Sequence, residues 1–219
     1  MKFCDFLSYY KFHSNILTVK NEIKLNFTNA EIFKIFKRNK RILRFLIKEN
    51  IFIIDNILES KIKEYKYDRL NYYVYLFPEK ALKIETPDVI YDKFNNKLDD
   101  GENDYYICRI IRHDLIDEFI KNIKENSCLL QKYIERSIFE TNPFLNKNQN
   151  NITLIEYAVF FGSYQIFQFL HRSGVNLTES LWIYSIHVNN LQILQYLIQP
   201  PLKLYNEYMK ECIKCHHKT

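Results

Sequence analysis

Two stretches of the chain, 27 residues apart, are written in one pattern. Thr153-Leu-Ile-Glu-Tyr-Ala-Val-Phe-Phe-Gly162-Ser-Tyr-Gln-Ile-Phe-Gln-Phe-Leu170 aligns with Ser180-Leu-Trp-Ile-Tyr-Ser-Ile-His-Val-Asn189-Asn-Leu-Gln-Ile-Leu-Gln-Tyr-Leu197. Leucine, tyrosine and a Gln-Ile-x-Gln-aromatic-Leu run coincide. Small Ala158 falls on small Ser185, and Gly162 falls on Asn189, both residue types that tolerate a left-handed turn. A third shift of 27 puts Cys212 on Ser185 and His216 on Asn189, and the chain stops at Thr219 before a second helix. The expected unit is a short helix, a tight turn and a second helix. One such pair cannot bury its apolar face alone, so neighbouring pairs must stack. Stacking accounts for Ile166, Phe169, Leu170, Ile193, Tyr196 and Leu197 being apolar in register, each burial contributing on the order of 1.5–3 kcal/mol.

Composition agrees with helices. Only Gly101, Gly162 and Gly174 are glycine in 219 residues, where an average chain of this length carries roughly fifteen. Hairpins and phosphate loops need glycine for positive φ or close backbone approach. A 47% hydrophobic content excludes disorder as a class. The expected fold is all-α: a helical N-terminal region over residues 1–100 and helix-pair repeats over 101–219, the last unit incomplete. Thr28 and Glu31 predict a capping box opening one helix over Glu31–Lys48. The Tyr65–Phe77 stretch reads as helix or strand. Pro87 and the polar run Asn95–Asp104 read as a linker. Tyr105–Lys124 reads as a helix or a helix pair broken near His113-Asp114, and Leu129–Phe139 as a further helix ending before Pro143.

The repeat residues resemble ankyrin repeats, whose pattern is Thr-Pro-Leu-His-x-Ala-Ala-x-x-Gly, then Ile-Val-x-x-Leu-Leu, then Gly-Ala. Thr153, Ile155, Ala158, Gly162, Ile166, Phe169, Leu170, Gly174 and Val175 take matching places. More closely, the chain is similar to the ankyrin-like domain of unknown function in the large ankyrin-repeat families of parasitic protists. Gly101-Glu-Asn-Asp, Ser137-Ile-Phe-Glu-Thr-Asn, Leu154-Ile-Glu-Tyr-Ala, Phe160-Phe-Gly-Ser, Ser180-Leu-Trp and Ile213-Lys-Cys-His-His217 carry that likeness. Leu154 and Glu156 stand where proline and histidine are usual, and the period is 27 rather than about 33. The resemblance implies an ankyrin-like α-solenoid and a non-catalytic protein–protein interaction scaffold with an unspecified protein partner. It points to residues flanking the first helix of each pair as the binding surface: Ile152, Phe160 and Phe161, then Glu179, His187 and Val188. Burial of the two phenylalanines under the next unit is the competing reading.

Other chemistries are weighed against this. Cys212-Ile-Lys-Cys215-His216 has the spacing used for haem attachment, and His217 extends it to a metal set. The repeat register instead makes Cys212 a packing residue and His216 a turn residue, so no cofactor or metal is expected. Cys108 with His113-Asp114 lies along one local segment and lacks triad geometry, and no phosphate-binding glycine motif occurs, so no enzyme is expected. Residues 1–50 hold eleven Lys and Arg against four Asp and Glu, a net +7 of the total +5. The stretch Lys34–Lys48, with Phe33, Phe36 and Phe45 interleaved, therefore offers an alternative function as a nucleic-acid or anionic-membrane binder. Met1-Lys-Phe-Cys-Asp5 lacks the apolar build-up of a leader, Ile42–Leu58 is interrupted by charges, and five irregularly spaced cysteines suggest no disulfide framework, so a cytoplasmic or nuclear setting is expected. Sequons at Asn26, Asn151 and Asn176 fit chance in an asparagine-rich chain.

Overall fold

The computed structural model describes residues 6–37, 39–64, 73, 75–78, 80, 88–126, 130–142, 145, 152–188 and 190–197, with the backbone alone at residues 6–11, 64, 88–92, 187 and 188. Among these the protein is all-α: twelve helices and no strand, with an isolated antiparallel bridge between Tyr133 and Thr153. The chain forms two compact units. One comprises Asp5–Asp104 and Arg136–Gln149. Of the described residues, the other comprises those within 105–135 and 152–197.

In the first unit the helices are α1 (Phe6–Thr18), α2 (Lys20–Asn26), α3 (Asn29–Phe36), α4 (Lys40–Lys48), α5 (Asn56–Glu64) and α6 (Asp88–Asp100). The capping box forms as the sequence predicts: Thr28 N–H donates to Glu31 Oε2 at 2.9 Å and Glu31 N–H to Thr28 Oγ1 at 3.3 Å. These bonds hold the exposed Glu31 carboxyl below its ordinary range. The single helix expected over Glu31–Lys48 is two. Asn39 interrupts it, accepting the Ile42 N–H at 3.1 Å as the N-cap of α4. The polar run read as a linker is helical as far as Asp100, because Leu98 is fully buried there. Gly101 then turns the chain at φ 66°, and its carbonyl accepts from Thr141 N–H at 3.0 Å and Thr141 Oγ1–H at 2.7 Å. An added Cβ would meet Thr141 Oγ1 at 2.8 Å, so glycine is required twice over.

No helix forms over 130–139, contrary to the apolar spacing. Residues 136–142 bind distant partners instead. Ser137 Oγ donates to Asp104 at 2.8 Å, Ile138 C=O accepts from Lys40 at 2.9 Å, and the Phe139 ring packs edge-on against Phe94 at 5.1 Å. A helix would turn these groups away from partners that are buried with them. The Tyr65–Phe77 stretch lies largely outside the described residues.

In the second unit the helices are α7 (Tyr106–Arg112), α8 (Ile116–Glu125), α9 (Leu154–Phe161), α10 (Tyr164–Arg172), α11 (Ser180–Val188) and α12 (Leu191–Leu197). Both readings of Tyr105–Lys124 reduce to a pair, since Asp114 turns the chain at φ 49°. Thr153 and Glu156 form a second capping box on α9, and Gly162 ends that helix at φ 73°. Ala158 and Ser185 are both fully buried, as the 27-residue register requires. Cys212 lies outside the described residues. Ile166, Leu170, Ile193 and Leu197 are core; Phe169 and Tyr196 are only half-buried, and Phe167 fills the core position that the sequence reading passes over.

Candidate functional site

Among the described residues the second unit is three helix pairs packed like on like. Helices α7, α9 and α11 lie side by side in one row, while α8 packs on α10 and α10 on α12. Hydrogen bonds set the direction of the first row. Ser163, just past α9, donates its hydroxyl to Ile111 C=O near the end of α7. Asn190, 27 residues on and just past α11, donates Nδ2–H to Gly162 C=O at 3.2 Å. At the other end Ser180 donates to Glu156 Oε1, tying the start of α11 to the start of α9. C-termini thus meet C-termini and N-termini meet N-termini, and the row is parallel.

Glu156 has two roles at this junction. Its Oε2 accepts Thr153 N–H and Thr153 Oγ1–H, both at 2.8 Å, while its Oε1 takes the hydroxyl of the next pair. One carboxylate therefore caps its own helix and links two units. The same charge, added to burial, pushes the Tyr184 phenol up to about 12. The second row is capped from outside as well. Asp114 Oδ2 accepts Gln165 N–H and Oδ1 accepts Ile166 N–H, each at 3.0 Å, because the α10 N-cap Ser163 has turned its hydroxyl to Ile111. Both oxygens of Asp114 are committed to that cap, and Cys108 is fully buried in α7.

The residues nominated from sequence are distributed as follows. Ile152 and Phe160 are taken into the core, the Phe160 ring meeting Tyr184 of α11 edge-on at 6.3 Å. Burial under the neighbouring unit is thus what happens to Phe160. Phe161 is half-buried, its ring 4.6 Å from Tyr157. Glu179 is exposed just before α11, and the side chains of His187 and Val188 are outside the described residues. What the sequence reading missed is an edge. The parallel row brings the starts of α7, α9 and α11 together, and beside each start is an exposed apolar residue: Tyr105 at 41%, Tyr133 at 57% and Leu177 at 40%. Tyr133 reaches this edge through its bridge to Thr153, where Ile134 N–H donates to Ile152 C=O at 2.7 Å. Next to them Tyr106 donates to Glu118 at 2.9 Å, which raises its pKa above the ordinary phenol value. The signal in sequence was the pair Tyr105-Tyr106 ahead of an apolar helix; Tyr133 had none.

Of the cations of the alternative reading, Lys34 and Lys48 are exposed, whereas Lys40 and Arg44 are buried in the first unit. Arg44 is 9% exposed; its Nε donates to Asp99 at 3.0 Å, Nη2 to Asn95 at 2.9 Å and Nη1 to Tyr75 C=O at 3.4 Å. Lys48 pairs with the same Asp99, and Lys40 is 7% exposed over the Tyr75 ring. Among the described residues no group of three or more His, Cys, Asp and Glu is gathered to hold a metal. Cys212, Cys215, His216 and His217 lie outside them. No described helix is long and apolar enough to cross a membrane. No family model, no curated protein and no solved structure matches the chain.

Proposed function

We propose that the second unit is an ankyrin-type, non-catalytic scaffold that binds a protein partner. The observation that carries this reading is the parallel first row, whose three helix starts have exposed Tyr105, Tyr133 and Leu177 near them. Adjacent helices lie about 8–10 Å apart, so this edge spans roughly 20 Å. Scattered exposed apolar residues are ordinary, whereas several of them gathered beside neighbouring helix starts offer a docking surface. Tyrosine suits that role, since it buries much area with little conformational entropy and keeps a polar tip. Against the charge-driven alternative stands the use of Lys40, Arg44 and Lys48 inside the first unit, where they hold Asp99, Asn95 and two carbonyls.

The test is affinity capture by the whole chain and by a Tyr133→Lys, Leu177→Lys double variant with an unchanged far-ultraviolet circular dichroism spectrum. Loss of the captured proteins in the variant is the expected result. Equal capture by both would remove this edge from consideration. Retention on heparin with a steep salt dependence would favour the alternative instead.

A further inference from the structure

A bridge between two short extended segments has two outer rims, and here the two differ. Tyr133 and Thr153 face each other in the isolated antiparallel bridge, whose hydrogen bond runs from Ile134 N–H to Ile152 C=O at 2.7 Å. Peptide groups of successive residues in an extended chain point to opposite sides. The pair that lies between such bonds therefore turns its own N–H and C=O groups outward. On the Thr153 rim both outward groups are taken. Its N–H donates to Glu156 Oε2 at 2.8 Å, and its C=O accepts from Tyr157 N–H at 3.0 Å as α9 begins. The Tyr133 rim is open. Among the described residues neither Tyr133 N–H nor Tyr133 C=O has a hydrogen-bond partner, and the residue is 57% exposed.

One donor and one acceptor on the same side of one residue are what a second extended backbone matches. A strand laid about 4.8 Å away offers a C=O and an N–H at that spacing, and one of its residues exchanges both bonds with Tyr133. The charges flanking Tyr133 cancel. Lys132 and Glu135 are both exposed and lie 3.9 Å apart, so they favour neither sign in an incoming chain. Lysine beside an open edge discourages long ladders, which limits the addition to a short segment.

We infer that Tyr133 is a strand-addition point: an uncharged, extended segment of the protein partner pairs antiparallel with residues 132–134. One of its residues exchanges both main-chain bonds with Tyr133 and sets a β-branched or aromatic side chain beside the Tyr133 ring. In this mode of recognition the backbone bonds supply attraction and the facing side chains supply selectivity. The inference rests on the scaffold reading and specifies the partner's conformation at that edge. It makes the Tyr133 backbone, and not its ring alone, the point of contact.

The test is an amide chemical-shift titration of the nitrogen-15-labelled whole chain with acetyl-Ser-Thr-Val-Thr-Val-Thr-Ser-amide, an uncharged and largely β-branched probe. Binding at about the millimolar level is expected, since two main-chain bonds and one ring are few. The Tyr133 amide proton should move downfield. Tyr133→Ala keeps the N–H and should weaken binding about three-fold, whereas Tyr133→Pro removes the donor and should weaken it about ten-fold. Proline is tolerated at an edge position whose N–H faces solvent, and an unchanged thermal melt verifies the fold. A probe N-methylated at its five central residues leaves the protein untouched and should not bind. Equal binding by the alanine and proline variants, equal binding of the methylated probe, or shifts that miss residues 132–134 would overturn the inference. So would movement of the Tyr133 amide with protein concentration alone, which would give the rim to a second copy of the chain. The scaffold reading is scored separately. Capture lost in Tyr133→Lys, Leu177→Lys but intact in Tyr133→Pro would keep the edge and sink the strand. Probe binding as expected, with capture unchanged in that double variant, would keep the strand and remove the edge as the partner's surface.

Discussion

Replacing Asp114 tests the stacking directly, because this one side chain caps a helix that belongs to the next pair. Asp114→Ala removes the acceptors of Gln165 N–H and Ile166 N–H, both at 3.0 Å. Ser163 cannot take over without giving up its bond to Ile111 C=O. Loss of an N-cap costs about 1 kcal/mol, and loss of a negative charge at a helix N-terminus about 0.3–1 kcal/mol more. Alanine at φ 49° adds about 1 kcal/mol of left-handed strain. The expected destabilisation is therefore about 2.5–3 kcal/mol. Asp114→Gly removes the cap but not the backbone freedom, and should cost about 2 kcal/mol. Asp114→Asn keeps one acceptor and tolerates the turn, and should cost about 1 kcal/mol. Urea unfolding followed at 222 nm would place the midpoints in the order parent, asparagine, glycine, alanine. Glycine and alanine variants that both unfold within 0.5 kcal/mol of the parent would refute the reasoning.

Ala158→Leu forces a large side chain into the fully buried contact between rows and should cost about 1–3 kcal/mol, read as a lower urea midpoint; a neutral result would mean that the pairs are not closely packed there. Arg44→Met removes the donor to Asp99, Asn95 and Tyr75 C=O, and a loss of about 2 kcal/mol is expected, whereas Lys48→Met, at a half-exposed site, should change stability by under about 1 kcal/mol. His13 stacks on Phe45 at 3.6 Å, and burial, with Arg41 beside it, lowers its pKa from 6.5 to about 4. The neutral ring is thus the folded form, so its contribution is complete above pH 6.5 and is lost as pH falls from 6.5 through about 4. Melting temperatures of the parent should fall faster between pH 7 and 4.5 than those of His13→Phe; parallel curves would contradict the assignment.

Local signals were legible wherever the stabilising partner is near in sequence. Both capping boxes, the Gly162 turn and the burial of Ala158 and Ser185 could be read from spacing alone, because each depends on residues within one turn or on a strict repeat. Residues 101–219 read as helix-pair repeats, but the pair α7–α8 was not aligned to the other two. Three residues join its helices where two join α9 to α10, and its left-handed residue is Asp114 rather than glycine, so no shift of 27 reveals it.

The tertiary structure decided what local periodicity misassigned. Residues 130–139 have helical apolar spacing, yet Ser137, Ile138 and Phe139 find Asp104, Lys40 and Phe94 at separations of tens of residues, and those partners outweigh propensity. Arg44 of α4 looks like part of a solvated face until Asp99 and Asn95 arrive from α6 to bind it, while Lys48 stays half-exposed beside Asp99. The exposed edge exists because α7, α9 and α11 run parallel, a fact carried by Ser163, Asn190 and Ser180 reaching into neighbouring pairs. Sequence determined the repeat and its helices, since a helix is made by residues three and four apart. Which faces meet, and which are left to a partner, follows from contacts between residues 24 and more apart, and only the folded chain brings those together.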